Sequence, residues 1–552
     1  MRTEIQLGTL HLSEQERARA SEWSIGCDWN AAVPRSVGAL VAAKAAADPD
    51  AIAVDCVGGV LSYRRLWERT GAFIESLSDR GVGPGHTVAV TGGRSADLIA
   101  VFLAVEAIGA VYLPVPADWP VQRMRTVLER GAAVVVDTDA RPEGATPERT
   151  RAEEAAVAAG LGILQASAVG ASAAADRPLS PREVPVDEVR YCIYTSGTTG
   201  TPKGALVEQR GMMNHLWAKV IELGLTESDT VAFTAPIGFD ISIWQMLAPL
   251  AVGGSIAVVG DADVAFPRRL DHRLTTAGAT VVELVPTMIE WLVSESAKRN
   301  TPVLATARWL ISTGEELTAG LTGRVLASMP ELGLMNAYGP TECSDDVTHH
   351  AVTEQDANLP RVYVGRPVMG SRLYLLHFNE DEHGWTAAAP GTVGELFVGG
   401  VVVGRGYALA PSTTARAFFT DVFDEQSPTR RLYRTGDLAR FDGETVLYLG
   451  RVDRQVKLSG VRIELVEVEA AIDSHPGVEQ CAALVGSHGG KPALVIYYTS
   501  AAGVPPHDLQ QHASETLPPS MVPKSFRIVS SMPTTPNGKI DHRQLAEFEG
   551  TI

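Results

Sequence analysis

Apolar residues along this chain recur in two rhythms, a period near four and short unbroken runs, and the two alternate from about Val37 to Val115. "VGALVAAKAAADPDAIAVD" predicts a helix that stops at Asp48-Pro49-Asp50 and is followed by a strand. "HTVAVTG" predicts a strand, Ser95 to Ile108 a helix with Ser95 as its N-cap, and "AVYLPV" another buried strand. The same rhythm returns at "GATVVELVP" and "ARWLISTG". Such alternation predicts a layered α/β architecture with largely parallel sheets. The Ala-, Glu- and Pro-rich stretch from Arg141 to Val189 reads as helix plus loop. After "GELFVGG" the texture becomes short strands with Gly and Asp turns, which predicts a β-rich subdomain. From Arg454 onward helix "LVEVEAAI", strands "CAALVG" and "ALVIYYTS", helix "HDLQQHASE" and strand "FRIVSS" predict a small α+β unit. The expected organisation is a leading segment over 1–33, a large α/β domain over 34–452 and a small C-terminal domain over 453–552, with the boundary at Asp453.

Composition narrows the class. A chain of 552 residues, 45% of them apolar, exceeds one compact domain and has ample material for a core. The formal charge of −18 argues against a protein that coats nucleic acid or anionic membrane. An anionic ligand must then be met by local basic groups and backbone N–H dipoles. The five scattered cysteines form no CxxC and suit a reducing cytoplasm. The first residues are charged and lack an apolar stretch of signal-peptide length, and the longest apolar runs are broken by glutamate, glycine and proline. The expectation is a soluble, cytoplasmic protein.

The stretch "YTSGTTGTPKG", Tyr194 to Gly204, is the first candidate site. It is not a Walker A loop, because Pro202 takes the second glycine slot and Gly204 the hydroxyl slot after Lys203. A dinucleotide fingerprint is also missing, since "GVGPGH" at Gly81 carries a proline where a helix should start. What remains is the strand "RYCIYT" entering a loop whose Thr195, Ser196, Thr198 and Thr199 offer hydroxyl donors. Gly197, Gly200 and Gly204 let backbone N–H groups close on phosphate oxygens, and Lys203 adds a point charge. A solvated Gly/Thr hairpin is the alternative; a phosphate cradle is the favoured reading.

The loop resembles the phosphate loop of the adenylate-forming (AMP-binding) superfamily, which includes acyl-CoA synthetases, luciferases and the adenylation domains of nonribosomal peptide synthetases. Further signatures follow in order: "LSYRRL", "GAVYLPV", "FDIS", "NAYGPTE", "GELFVGG", "YRTGDL", "GRVDRQVKLSGVRIEL", "LPPSMVP" and "NGKID". Together they span about Val37 to Asp541, and "NAYGPTE" and "NGKID" are worded most like the peptide-synthetase branch. The resemblance implies an ATP- and Mg²⁺-dependent ligase. It places Tyr338 on adenine with Tyr448 flanking, Asn336 on the exocyclic amine, and Ala337 and Gly314 beside the nucleotide. It also places Thr341 at the α-phosphate, Glu342 on Mg²⁺, Asp437 on the ribose hydroxyls and Arg451 at ribose or phosphate. Lys539 of "NGKID" is implied as the catalytic ammonium of the first half-reaction, and Asp453 as the hinge on which the small domain turns.

For the substrate, the aspartate after the phenylalanine of "FDIS" pairs with an α-ammonium in amino-acid-activating members, so Asp240 implies an amino acid, although it could equally cap the helix it opens. Motif alignment lines the pocket with Phe239, Asp240, Ile241, Trp244, Glu283, Ile311, Thr313, Ala337, Asp345 and Asp346. Buried carboxylates demand partners, so Glu283, Asp345 and Asp346 raise the expectation of a basic or donor-rich side chain, a diamino or guanidino amino acid. The alternative is that one or two of them face solvent or bond the protein's own groups. No carrier-domain serine motif and no condensation motif follows, while "LSEQERARASEW" is similar to an inter-domain linker. The implied enzyme is free-standing and loads a carrier protein in trans in peptide natural-product (antibiotic) biosynthesis. "APSTTARAFF" lies where relatives bind MbtH-like proteins, a further implied partner. A competing reading is an acyl-CoA ligase acting on another carboxylic acid.

Overall fold

The computed structural model describes residues 6–29, 36–139, 149–170, 184–197, 202–379, 383–534 and 540–549. The alternating region folds as its pattern predicts. The helix Val37–Ala47 is capped by Ser36 and followed by the strand Ile52–Cys56. The helix Ala96–Ile108 starts after Ser95, whose side chain accepts from the Leu98 N–H, and ends on Gly109 in the left-handed conformation.

Two sheets flank a shared layer of helices. The first has seven strands, in the order Gly406–Tyr407, Lys203–Glu208, Val189–Thr195, Val111–Pro114, Thr87–Thr91, Ala132–Asp137 and Ile163–Gln165. The second has nine, running from Arg366–Pro367 through Thr348–Ala351, Gly333–Tyr338, Trp309–Ser312 and Val281–Leu284 to Gly59–Ser62. Their central pairings are parallel and antiparallel ones lie toward the edges. The helices between them, Ala96–Ile108, Gln209–Leu223 and Ile241–Ala251, are buried on most sides; the first and third are largely apolar, as burial between two sheets requires, while the second buries Gln209, Asn214, His215 and Lys219 as well. One carboxylate sits in that layer. Glu106 accepts from the N–H of Val37 and Gly38, at the start of the Val37–Ala47 helix, and from Gln209, so its charge is met by a helix N-terminus.

A third, antiparallel sheet is built on Ser371–Asn379, Gly394–Gly400 and Arg431–Asp442. After Asp453 the strands Gln455–Leu458 and Val461–Glu464 form a hairpin. Its two turn residues, Ser459 and Gly460, have φ of 51° and 77°, the backbone of a tight type I′ turn. The helix Leu465–Asp473 and a sheet of Gln480–His488, Lys491–Thr499 and Ser525–Ile528 complete the chain's compact end around its own apolar cluster. Among the described residues no helix is long and apolar enough to cross a membrane. Cys192, Cys343 and Cys481 are buried, Cys27 and Cys56 are not, and all five are free thiols.

Candidate functional site

The strand Gly333–Tyr338 of the nine-stranded sheet delivers Asn336, Ala337 and Tyr338 to its C-terminal end, where crossover sheets place their ligands. A Gly-Pro step then leads into the single turn Thr341–Cys343. Ser344 and Asp345 follow with φ of 65° and 92°, an unusual conformation for side-chain-bearing residues. Gly339 packs so closely on the Asp345 backbone that a Cβ there would collide with it. That crossing turns the chain back and brings Asp345 and Asp346 inward, buried.

Beside this strand lies a cleft of about 1310 Å³, lined among others by Gly314, Asn336, Ala337, Tyr338, Tyr448 and Arg451. The Tyr338 and Tyr448 rings are 5.9 Å apart, tilted by 40°. The Tyr338 hydroxyl donates to Asp437, and Arg451 Nη1 donates to the other oxygen of Asp437 at 2.6 Å. Arg451 also grips Asp453 through Nε and Nη2, at 2.7 and 2.9 Å. The residues expected at adenine and ribose are thus brought together on one cleft, with Asp453 at its rim. Asn336 donates to the Tyr363 carbonyl at 2.8 Å, which fixes its amide.

The glycine-rich loop joins the strands Val189–Thr195 and Lys203–Glu208, with Thr195 opposite Lys203. Thr198, Thr199 and Gly200 of this loop, and Lys539 near the chain's end, lie outside the described residues. Its described donors face the segment 462–467. Ser196 donates to the Arg462 carbonyl at 2.9 Å, and the Gly197 N–H donates to Glu467 Oε2 at 2.9 Å. Lys203 stands 3.6 Å from Glu464, and Arg123 donates to the second oxygen of Glu467 at 2.6 Å. Arg462 donates to Glu342 at 2.9 Å, and Tyr407 donates to the same carboxylate at 2.7 Å. Burial pushes the Glu342 carboxyl up, but Arg462 and Lys203 outweigh it and hold the pKa at about 2. In this arrangement a carboxylate accepts from the Gly197 N–H and a guanidinium faces the buried anion Glu342. Both pairings match the charges expected of phosphate at the loop and of a metal ion at Glu342, and an ionised, buried carboxylate fits a hard divalent cation.

Glu467 offers a direct probe. Glu467→Gln keeps the shape but leaves the buried Arg123 without its counter-charge, a loss of about 2 kcal/mol from this docked arrangement. Hydrogen exchange over residues 462–467 and proteolysis near Asp453 should both accelerate. Unchanged rates would show that the contact does not hold the segment.

The residues expected to line an amino-acid pocket begin at Asp240. It does cap the helix Ile241–Ala251, accepting from the Ile241 N–H at 3.1 Å, and it also accepts from the Thr341 side chain. The cap and the pocket position are therefore one feature. Trp244, Ile311, Thr313 and Ala337 are buried, and Phe239 and Ile241 half-buried. The partners demanded for the extra acids are supplied largely by the protein itself. Glu283 accepts from the Trp244 indole and from Lys219 at 3.3 Å, and Lys219 bridges to Asp346 at 2.7 Å. Asp346 has a further partner in His349 at 3.2 Å, whose other ring nitrogen meets Glu222 at 2.7 Å. Asp345 is different. His215 lies 3.1 Å from its Oδ2, but neither that oxygen nor either ring nitrogen of His215 makes a hydrogen bond.

These environments move the protonation equilibria in opposite directions. Burial, then Asp346, Asp240 and Glu283, push the Asp345 carboxyl far up. Burial also lifts Glu283 to about 7 although Lys219 opposes it, and burial lowers His215 to about 3, leaving its imidazole neutral. Sequence reasoning missed Lys219, His215, Arg462 and Glu467. The pair His215 and Lys219 carried a signal: four residues apart, they share one face of a helix.

Comparison with known proteins agrees with this geometry. The AMP-binding enzyme family model matches residues 41–408, and that of the AMP-binding enzyme C-terminal domain matches residues 467–539. Tyrocidine synthase 1 of Brevibacillus parabrevis is 31% identical over 519 residues, covering 93% of this chain and 45% of its own length. The dimodular nonribosomal peptide synthase of Bacillus subtilis (strain 168) is 31% identical over 506 residues, covering 91% of this chain and 20% of its own length. The chain thus spans less than half the length of these curated relatives. Among solved structures, an NRPS protein containing adenylation and PCP domains superposes with a TM-score of 0.78 at 26% identity, covering 94% of this chain and 86% of that one. A four-domain nonribosomal peptide synthetase bound to AMP and glycine superposes with a TM-score of 0.66 at 26% identity, over 94% of this chain and 37% of that one.

Proposed function

The chain belongs to the AMP-binding enzyme family, and on that premise we propose that it activates an amino acid as its aminoacyl-adenylate and transfers it to the phosphopantetheine thiol of a carrier protein in trans. One observation carries the reading furthest: the buried carboxylate of Asp240 is bonded by Thr341, whose neighbour Glu342 is a buried, ionised carboxylate facing Lys203 and Arg462. An ammonium anchor and a phosphate-end electrostatic site are therefore one residue pair apart. In the reaction, an oxygen of the substrate carboxylate attacks the α-phosphorus in line, the bond to the bridging oxygen breaks, and pyrophosphate leaves. The carrier thiolate then attacks the acyl carbon and AMP departs. Asp240 holds the α-ammonium, the Tyr338–Asp437–Arg451 cluster orients the nucleoside, and the Ser196–Gly197 turn with Lys203 grips the pyrophosphate end. Mg²⁺, when bound, is held by Glu342 and supplies positive charge to the phosphate oxygens. Lys539 attends the α-phosphate, and Asp453 is the hinge about which the 462–467 segment withdraws to admit ATP. An MbtH-like protein is a further proposed partner, at "APSTTARAFF".

The side chain accepted is basic or donor-rich, a diamino or guanidino amino acid, because Asp345 is the acid left without a donor. Amino-acid-dependent ATP–pyrophosphate exchange tests the reading, run across a panel with carrier or CoA as acceptor. Exchange only with fatty or aryl acids and release of a CoA thioester would make the chain an acyl-CoA ligase instead.

A pH dependence follows from the same pocket. Asp345 and Glu283 have folded pKa values above their unfolded ones near 4, so the native state binds more protons than the unfolded chain between about 4 and 7. Stability contributed by these groups is present at low pH and lost as pH rises through that window. His349, raised by Asp346 and Glu222 against burial, acts in the same direction, while Asp346, held low by Lys219 and His349, stays ionised throughout. His215, lowered by burial, acts in the opposite direction but only below about pH 6.5, so the ligand-free protein should melt lower at pH 8 than at pH 7. A cationic substrate should raise the melting temperature more at pH 8. Equal stabilisation at both pH values would remove the carboxylates from its binding.

A further inference from the structure

Resting on that reading, we propose that Lys219 is a specificity-determining residue: a resident ammonium that takes the deep end of the amino-acid pocket, so that the pocket accepts one additional ammonium, on a side chain shorter than lysine's. Lys219 is fully buried, with its ammonium between Glu283 and Asp346 and 4.9 Å above the Trp244 ring. It bridges two of the three extra acids before any substrate arrives. Asp346 draws on His349 as well, and Glu283 on the Trp244 indole, so Asp345 alone lacks a donor. The acid left for a substrate cation to meet is therefore Asp345.

The chemistry of the unpartnered atoms selects an ammonium. Asp345 Oδ2, Asp346 Oδ1 and both ring nitrogens of His215 are buried and make no hydrogen bond, and His215 is only 4% exposed. A neutral imidazole offers one acceptor nitrogen, which gives three acceptors for the three N–H groups of an ammonium. One side-chain atom from each of His215, Asp345 and Asp346 can be chosen so that all lie within 4.8 Å of one another. A single centre can then sit about 2.8 Å from each, the length of a charge-assisted hydrogen bond. A guanidinium would bring five donors on a planar fork and leave at least two facing apolar wall. A longer aliphatic diamino acid would drive its ammonium toward that of Lys219, a like-charge contact in a dry site.

Pyrophosphate exchange by the full chain decides the matter, with diaminopropionate, diaminobutyrate, ornithine, lysine, arginine and aminobutyrate as substrates. Diaminopropionate or diaminobutyrate should exceed lysine and arginine by at least about tenfold in kcat/KM. Lys219→Ala should move the preference to ornithine or lysine, whose own ammonium takes the vacated place between Glu283 and Asp346. Lys219→Met, which keeps the volume without the charge, should lose the short diamino acids and gain nothing. Asp345→Asn removes only the free carboxylate and should cost diaminobutyrate on the order of 10²-fold relative to aminobutyrate; this arm decides the question even if the Lys219 variants do not fold. Lysine, arginine or an apolar amino acid preferred by the wild type, or an unshifted preference in folded Lys219→Ala, overturns the inference alone. Stoichiometric divalent metal in the purified protein that is lost in Asp345→Asn would also overturn it, by putting a metal ion between these three residues. If no amino acid supports exchange, it is the proposed function that fails.

Discussion

Lys539→Ala should lower amino-acid-dependent pyrophosphate exchange by on the order of 10²-fold or more, about 3 kcal/mol of transition-state stabilisation. As the substrate carboxylate attacks, negative charge grows on the bridging and equatorial oxygens of the α-phosphate. A fixed ammonium at that point stabilises the transition state more than the ground state, which is what raises the rate. Lys203, the lysine inside the glycine-rich loop, is not equivalent. It sits on a strand, 5.4 Å from the Tyr407 ring and 3.6 Å from Glu464, and the proposed function gives it the pyrophosphate end. The two half-reactions separate the roles. Carrier loading from preformed adenylate should survive Lys539→Ala, since that step forms no new charge on phosphorus. Near-normal exchange in the variant would remove Lys539 from the chemistry.

What could be read from the sequence was what is local. The helix opened by Ser95 and the strand "HTVAVTG" depend on neighbouring residues, and they fold as their pattern predicts. The α/β layering followed from the alternation of such elements. The pocket acids were legible as a problem, because buried carboxylates need counter-charges whatever the fold. Their solution was not legible. Lys219 is 64 residues from Glu283 in the chain, so its spacing from His215 marked a shared helix face but not the acids which that face meets. The loop's glycines and hydroxyls raised the expectation of an anion cradle. That Glu467, 270 residues onward, would meet the Gly197 N–H is a fact of domain placement, and no local propensity encodes it. Asp240 falls between these cases: a helix cap and a substrate anchor use the same residue type, and the fold shows the cap.

Glu342→Gln should be as damaging to exchange as loss of Lys539, and for a reason the geometry makes specific. Glu342 is 1% exposed and holds its charge down to a pKa of about 2 because burial is outweighed by Arg462 and Lys203. Its folded pKa lies below the unfolded value near 4, so the stability it contributes is present at neutral pH and is lost only as pH falls toward 2. Glutamine keeps the volume and one acceptor oxygen for Tyr407, but leaves Arg462 without its carboxylate partner, at a cost of roughly 3 kcal/mol. It also removes the anionic oxygen that a divalent cation needs. Exchange should fall on the order of 10²-fold or more, and added Mg²⁺ should not restore it. A second readout separates the two losses: with no nucleotide present, hydrogen exchange over 462–467 should rise in Glu342→Gln, because Arg462 has lost its anchor. Lost activity with unchanged exchange protection would assign Glu342 to the metal alone. Faster exchange with activity retained would make it only the anchor of Arg462. Both effects are expected together under the proposed function, in which the same carboxylate serves Arg462 with the segment docked and the phosphate end of the site with it withdrawn.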